Sequence, residues 1–171
     1  MKLIRINLPQ YKIDELPDHE ALGKIVDQEL KKHFMGQSIL VRGIASSEHP
    51  DITIEELIDT IKSTGTDRYD PTRKGDRYEN IDNKHIDMFA FPHSVTEDSS
   101  IFEDVVYGFY HSAIGVHGKP QRIDILTIYD ATKMTKVVHQ YEGRDDIKED
   151  GYVFNDTKNR VDAILGIVRI D

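Results

Sequence analysis

The sequence predicts an α+β domain, and two observations lead to that class. In the first two thirds of the chain, three β-rich runs are each followed by a segment whose apolar residues recur at helical spacing. In the last third, β-rich runs follow one another with only short polar connections. The first pattern indicates crossover connections and the second an antiparallel meander. We therefore expect the order βαβαβα before the meander, in one mixed sheet of about six to seven strands with three helices mainly on one face.

The chain length supports a single domain. The chain has 171 residues, of which 38% are hydrophobic and 31% are charged. This composition is typical of a folded globular protein, and the length suits one hydrophobic core. We predict one domain over residues 1–171, with a long polar loop or arm at about 66–83.

The first half contains two strand–helix pairs. Residues Lys2–Leu8 alternate between apolar and polar and predict a strand, and a helix follows from Pro17 or Asp18 to about Met35. The nearly continuous apolar run Ser38–Ala45 predicts a buried strand. Thr53 and Glu56 have the spacing of a capping box, which predicts a second helix that ends at Gly65.

The third pair and the meander occupy the second half. The run HIDMFAF, from His85 to Phe91, predicts a strand stopped by Pro92. A third helix is expected from Ser100 to near Gly118. The remaining strands are predicted at Arg122–Tyr129, Thr135–Tyr141, YVF and VDAILGIVRI, with a hairpin-length connection after the first and the polar loop GRDDIKEDG after the second.

Composition excludes several classes of function. The chain contains no cysteine, which excludes disulfides, thiolate nucleophiles and cysteine-ligated metals. The formal net charge is −9, and no lysine or arginine lies between His85 and Gly118, so nucleic acid is not an expected partner. No apolar run is long enough to span a membrane, and no export signal is apparent, so we expect a cytoplasmic protein without membrane contact.

The polar stretch GTDRYDPTRKGDRYENIDNK, from Gly65 to Lys84, repeats the tripeptide Asp-Arg-Tyr on either side of turn-forming residues. If the two copies pair symmetrically, Arg68 faces Arg77 and the two guanidinium groups repel each other. A bound phosphate or carboxylate would remove that repulsion. This interpretation makes Arg68 and Arg77 a predicted anion-binding pair.

A second interpretation of the same stretch needs no ligand. Five basic residues balance five acidic residues between Asp67 and Lys84. Such a segment is typical of a solvated loop whose charges pair among themselves, and slipping the register by one residue also separates the two arginines. An arm that reaches a second subunit is a third interpretation.

Histidine is frequent, with eight residues in the chain, and three side chains suggest a site. His85 and Asp87 are two apart on a predicted strand and therefore point to the same face. His93 follows shortly afterwards. Two imidazoles and a carboxylate can hold a divalent metal, so His85, Asp87 and His93 form a candidate metal site. His85 and Asp87 also suit a general base and the group that orients it. The alternative interpretation gives all three a surface or hydrogen-bonded structural role.

The third predicted helix carries Gly108, Ser112 and Gly115 as a strip of small residues. Close packing on the sheet explains such a strip, and so does a helix–helix contact between two subunits or the approach of a ligand. The successive aromatics of Tyr107–Tyr110 cannot all face one core, so at least one should meet solvent, a pocket or a partner. These features predict a homo-oligomer.

The sequence leaves two classes of function open. Phosphate-binding glycine loops and the serine hydrolase elbow are absent. The favoured hypothesis is a cytoplasmic accessory protein that binds a small anionic ligand or a protein partner. The alternative is a small metal-assisted or His/Asp acid–base enzyme acting on an anionic substrate, with a divalent metal as its cofactor.

Overall fold

A computed structural model describes residues 1–8, 11–12, 15–67, 88–141 and 144–171, and the α+β prediction is confirmed over this part of the chain. The described residues contain three α-helices and seven strands. In chain order these are β1 (Lys2–Ile6), α1 (Leu16–Phe34), β2 (Ser38–Ile44), α2 (Ile54–Thr64), β3 (Phe91–Ser94), α3 (Tyr107–His117), β4 (Ile125–Asp130), β5 (Met134–Tyr141), β6 (Arg144–Phe154) and β7 (Ile164–Ile170). None of the helices in these ranges is long and apolar enough to cross a membrane.

Five strands form the main sheet, in the order β1-β7-β4-β2-β3. β1 pairs with β7 in parallel, and the other pairs are antiparallel. β4 lies at the centre, and five of its six residues are buried. This central position explains the apolar run of β4, because both faces of the strand are covered.

The expected meander is wrong in one respect. β4 and β5 are joined by a short turn at Ala131–Lys133, but they belong to different sheets, and β5 pairs with β6 in a separate two-stranded sheet. The Asp130 carboxylate accepts a hydrogen bond of 2.9 Å from the Thr132 amide and caps this turn. Because β4 already pairs with β2 and β7 on its two sides, neither edge is left for β5.

The strand predicted from His85 to Phe91 can be compared with the structure only from Met88 onward, where it differs. Residues 85–87 lie outside the described part, Met88 forms an isolated bridge with Tyr152, and β3 begins only at Phe91. Pro92 therefore lies inside a strand, opposite Leu40, and does not stop it. An edge strand tolerates proline because one side of its backbone has no ladder to complete.

β6 is also longer than expected. Within the predicted loop GRDDIKEDG, the residues from Arg144 onward form a strand, which continues to Phe154. Apolar alternation is weak in the predicted loop, where Ile147 is the single aliphatic residue. Backbone pairing in a two-stranded hairpin does not depend on an apolar face, so hydrophobic periodicity underpredicts it.

Each face of the main sheet has its own core. α1 and α3 cover one face, where Leu22, Val26 and Val105 pack among apolar side chains of β1, β2, β4 and β7. α2 covers the other face together with the base of the β5–β6 hairpin, through Leu57, Ile61 and Phe154. The sheet is therefore enclosed on both sides.

The predicted capping box at the start of α2 is confirmed. The Thr53 hydroxyl accepts from the Glu56 amide at 3.2 Å, and the Glu56 carboxylate accepts from the Thr53 amide at 2.8 Å. These hydrogen bonds from the backbone and side chain of Thr53 lower the pKa of Glu56. At the other end, Gly65 has a φ of +90° and closes the helix in the left-handed conformation, as its position predicts.

Candidate functional site

Of the five residues predicted for a site, only His93 belongs to the described part of the chain. Arg68, Arg77, His85 and Asp87 lie outside the described residues, so the anion-binding pair and the metal set both stay predictions. Among the described residues, no group of three or more histidine and acidic side chains is placed to hold a metal ion.

His93 contacts a carboxylate that the sequence did not associate with it. Its side chain on β3 is fully buried, and Nδ1 lies 2.8 Å from Oδ2 of Asp104, whose own side chain is 51% exposed. The other ring nitrogen, Nε2, is buried and has no hydrogen-bond partner among the described residues. Because eleven residues and a change of element separate His93 from Asp104, no short spacing in the sequence signals the pair.

Asp104 belongs to an unusual turn that leads into α3. Residues Phe102–Val106 form a π-helical segment, and Val105 and Val106 anchor it in the core. Gly23 of α1 makes room for this segment, since a Cβ atom at Gly23 would lie 2.8 Å from Cβ of Phe102. π-helical turns occur often at functional sites, and this one brings Asp104 to His93.

α3 itself has an unusual composition for a surface helix. Its sequence, YGFYHSAIGVH, contains no Asp, Glu, Lys or Arg, and its described residues are half-buried or exposed. Tyr107 is 45% exposed and Ile114 is 37% exposed. A helix without charged residues is normally buried, so the outward side of α3 is the most atypical surface on the described part of this molecule.

The outward side of α3 carries an ordered row of side chains. Tyr107, His111 and Gly115 follow one another at intervals of four residues and therefore lie on one face. The rings of Tyr107 and His111 touch edge to face, with centroids 4.1 Å apart. A Cβ atom at Gly115 would meet nothing within 4 Å, so the space above this residue is open. We call Tyr107, His111, Ile114 and Gly115 the α3 face.

The predicted strip of small residues divides between two environments. A Cβ atom at Gly108 would lie 2.5 Å from the ring of Phe91, so Gly108 allows α3 to approach the edge strand closely. Packing on the sheet is thus the correct interpretation for Gly108, whereas Ser112 is exposed and Gly115 is open.

Three contacts hold α3 to the domain from its inner side. Phe109 packs against Phe91 with ring centroids 4.6 Å apart, and Nε2 of His117 lies 2.9 Å from Oε1 of Glu48. Tyr110 meets the buried ring of His19 on α1 at 4.8 Å. The α3 face is therefore presented on a helix that is fixed along its inner side.

A buried ion pair on the opposite side of the sheet is the strongest charged interaction that sequence reasoning missed. Arg42, in the middle of β2, donates to both carboxylate oxygens of Asp67, from Nε at 2.7 Å and from Nη2 at 3.0 Å. Its Nη1 donates to the Phe89 carbonyl at 3.0 Å. Since a buried arginine requires such partners, the arginine inside SILVRGIA was the available signal.

The surroundings of this pair keep its charges in place. Burial opposes the charge of Arg42, but the charge and hydrogen bonds of Asp67 outweigh it and raise the arginine's pKa. Tyr129 donates to the Gly65 carbonyl at 2.8 Å, and its pKa is raised by burial and by the charge of Asp67, so its phenol stays neutral. Nε2 of His49 lies 3.5 Å from Oδ2 of Asp67. The cluster therefore fixes Asp67 and the Phe89 carbonyl, which flank the stretch that includes Arg68 and Arg77, to the same point on the sheet.

Comparison with known proteins adds no family to this description. No protein-family model matches the chain, and the comparisons with curated proteins and with solved structures found no significant match. The fold and the α3 face therefore define the class: an α+β protein with one uncharged, outward-facing helix.

Proposed function

We propose that this chain is an accessory protein that binds a protein partner through the α3 face. The observation that supports the proposal is the eleven-residue helix that has no Asp, Glu, Lys or Arg and keeps Tyr107 and Ile114 exposed. Exposed apolar surface that forms a contiguous patch marks interaction sites more often than scattered apolar residues do. Tyrosine is enriched where protein interfaces gain most of their binding energy.

The other helices of the domain provide the contrast. α1 forms ion pairs along its exposed side, for example Lys24 with Glu20 and Lys31 with Asp27. α2 carries acidic residues in its first turn and Lys62 in its last turn. Such charges are typical of a helix face that stays in water. The α3 face lacks them, which favours a covered state.

A second candidate function keeps the enzyme hypothesis in a changed form. In it His93 is the general base and Asp104, in place of Asp87, orients the ring. Nε2 of His93 meets no hydrogen-bond partner in the ranges that the structure describes, and this favours the function because a base needs a free nitrogen. The fully buried side chain disfavours it, since a substrate has to reach that nitrogen. Carbethoxylation of native protein tests it: His93 should react only if Nε2 is accessible.

Photo-crosslinking tests the main proposal. A photoreactive phenylalanine analogue is placed at Tyr107 in one variant and at Val138 in a control, since Val138 is also apolar and is 61% exposed outside α3. We expect defined adducts from position 107 and none from position 138 in the organism of origin. The partner found in the adduct is then purified. Its affinity is measured for the parent chain and for the Tyr107→Glu variant.

The proposal requires both results. Tyr107→Glu should weaken binding of the purified partner by about tenfold or more, because it places a charge in an apolar contact. Val138→Glu should leave the affinity unchanged. Equal crosslinking at the two positions, or binding that is indifferent to Tyr107→Glu in a variant with normal circular dichroism, would overturn the proposal.

A further inference from the structure

The α3 face has features that identify its partner more closely, given the proposed function. We infer that the partner is a second copy of this chain, and that two α3 helices pack antiparallel about a twofold axis passing near His111. Three independent features of the described residues support this arrangement: the spacing of the row, the open space at one of its ends, and the charges that flank it.

The spacing is symmetric about His111. Tyr107 lies four residues before it and Gly115 four residues after it, all on one face. In an antiparallel pair with a twofold axis at residue 111, Tyr107 of each copy therefore lies opposite Gly115 of the other. Rows of residues four apart are the ridges that pack into grooves when helices meet.

Shape agrees with this register. The row has its large exposed side chain at Tyr107 and its open position at Gly115. Each tyrosine ring thus meets the one place on the face where no side chain stands in the way. A parallel pair would bring the two tyrosines together and leave both glycines uncovered.

The charges at the two ends of α3 also favour the antiparallel arrangement. Glu103 lies just before the helix and Lys119 just after it, eight residues on either side of His111, and both are exposed. Within the described part of the chain neither of them forms an ion pair. In an antiparallel pair, the end of α3 that carries Glu103 lies beside the end of the other copy that carries Lys119, so opposite charges face each other at both ends of the contact. Antiparallel helices also oppose their dipoles favourably.

A single helix pair is a small interface, so the dimer should be weak. Interfaces at the low end of the size range belong to transient complexes, and we expect dissociation on the order of 10–100 µM. Sedimentation of purified protein over that range should show dimer in the parent chain. It should show monomer in Tyr107→Glu and unchanged dimer in the control Val138→Glu.

A charge exchange tests the antiparallel register itself. Glu103→Lys or Lys119→Glu alone places like charges together at two sites, and each should weaken the dimer about threefold to tenfold. The double exchange should restore dimerisation to near the parent value. A parallel or unrelated contact predicts no such restoration, so additive weakening in the double variant would overturn the register.

The absence of cysteine from the chain allows a direct geometric test. A short bis-maleimide should join two copies of His111→Cys, because the axis brings residue 111 of both copies together. It should not join two copies of Tyr107→Cys, but it should join Tyr107→Cys to Gly115→Cys in a mixture. Val138→Cys serves as the control for random collision.

The outcomes separate this inference from the proposed function. A parent chain that stays monomeric over the whole range, or His111→Cys that crosslinks no better than Val138→Cys, overturns self-association. If position 107 then still yields adducts with a different protein, the α3 face remains a docking site and only the identity of the partner was wrong. If position 107 yields no adduct at all, both proposals fail.

Discussion

Two polar side-chain pairs on opposite faces of the sheet differ in how completely they are satisfied. At Arg42 and Asp67, both side chains are buried and all three guanidinium nitrogens have a partner. At His93 and Asp104, the ring is buried but Nε2 has no partner within the described part of the chain, and the carboxylate is half exposed. The first pair has its guanidinium hydrogen bonds satisfied inside the domain and stabilises the fold. The second leaves one nitrogen open, in the turn that leads to the α3 face.

The largest expected effect comes from opening the first pair. Asp67→Ala leaves the Arg42 guanidinium buried beside a single carbonyl, and we expect a loss of about 3–5 kcal/mol in the free energy of unfolding. Urea denaturation measures it. The double variant Arg42→Met, Asp67→Leu removes both charges and should lose less than Asp67→Ala alone. A loss below about 1 kcal/mol in Asp67→Ala would show that water already reaches the guanidinium.

The second pair should respond more weakly. Asp104→Ala removes a half-exposed partner, so the expected loss is about 1 kcal/mol. His93→Leu removes a buried nitrogen that has no partner among the residues described and should be nearly neutral in urea denaturation. Arg42→Leu is the matched change at the first pair and should be strongly destabilising. Similar losses for the two leucine variants would remove the distinction between the pairs.

An effect of similar size is expected at the capping box of α2, which is a charged interaction at the surface. Thr53→Ala should cost about 1 kcal/mol at neutral pH, because it removes the side-chain acceptor of the first turn. Thermal unfolding measures the loss. Lys24→Ala, which breaks an exposed ion pair with Glu20 on α1, is the control and should change stability by less than about 0.5 kcal/mol. Equal losses in the two variants would mean that the cap adds no more than an ordinary surface pair.

Acid should weaken the same capping box. The hydrogen bonds from Thr53 lower the pKa of Glu56 in the folded state, below its ordinary value of 4.5. The stabilisation by this carboxylate is therefore complete above about pH 4.5 and is lost as the pH falls through the lowered pKa. Denaturation midpoints between neutral pH and about pH 3 should fall less steeply for Glu56→Gln than for the parent chain. Parallel pH curves for Glu56→Gln and the parent chain would contradict the assignment of this acid effect to Glu56.

The sequence predicts best what local interactions decide. α2 has its capping box, its apolar row and its terminal glycine within thirteen residues, and all three appear as expected. The order of the strands in the sheet depends on contacts between distant residues, such as β4 with β7. Hydrophobic periodicity carries no information on which strands are neighbours, so the separate β5–β6 sheet was not expected.

The candidate site shows the same limit. Asp67 lies 25 residues from Arg42, and Asp104 lies on a π-helical turn whose form depends on packing against Gly23. Neither pairing has a sequence spacing that signals it. The sequence predicts that the aromatic residues of α3 cannot all face one core, and the exposed Tyr107 agrees with this. His85, Asp87, Arg68 and Arg77 lie outside the described residues and remain predictions.

The three hydrogen bonds of Arg42 have a further consequence for how this chain can vary. One guanidinium holds both Asp67 and the Phe89 carbonyl, so two points that are distant in the sequence are fixed side by side on the sheet. A change at one point is therefore transmitted to the other through a single side chain: a variant that loses the Asp67 carboxylate also frees the guanidinium that holds the Phe89 carbonyl.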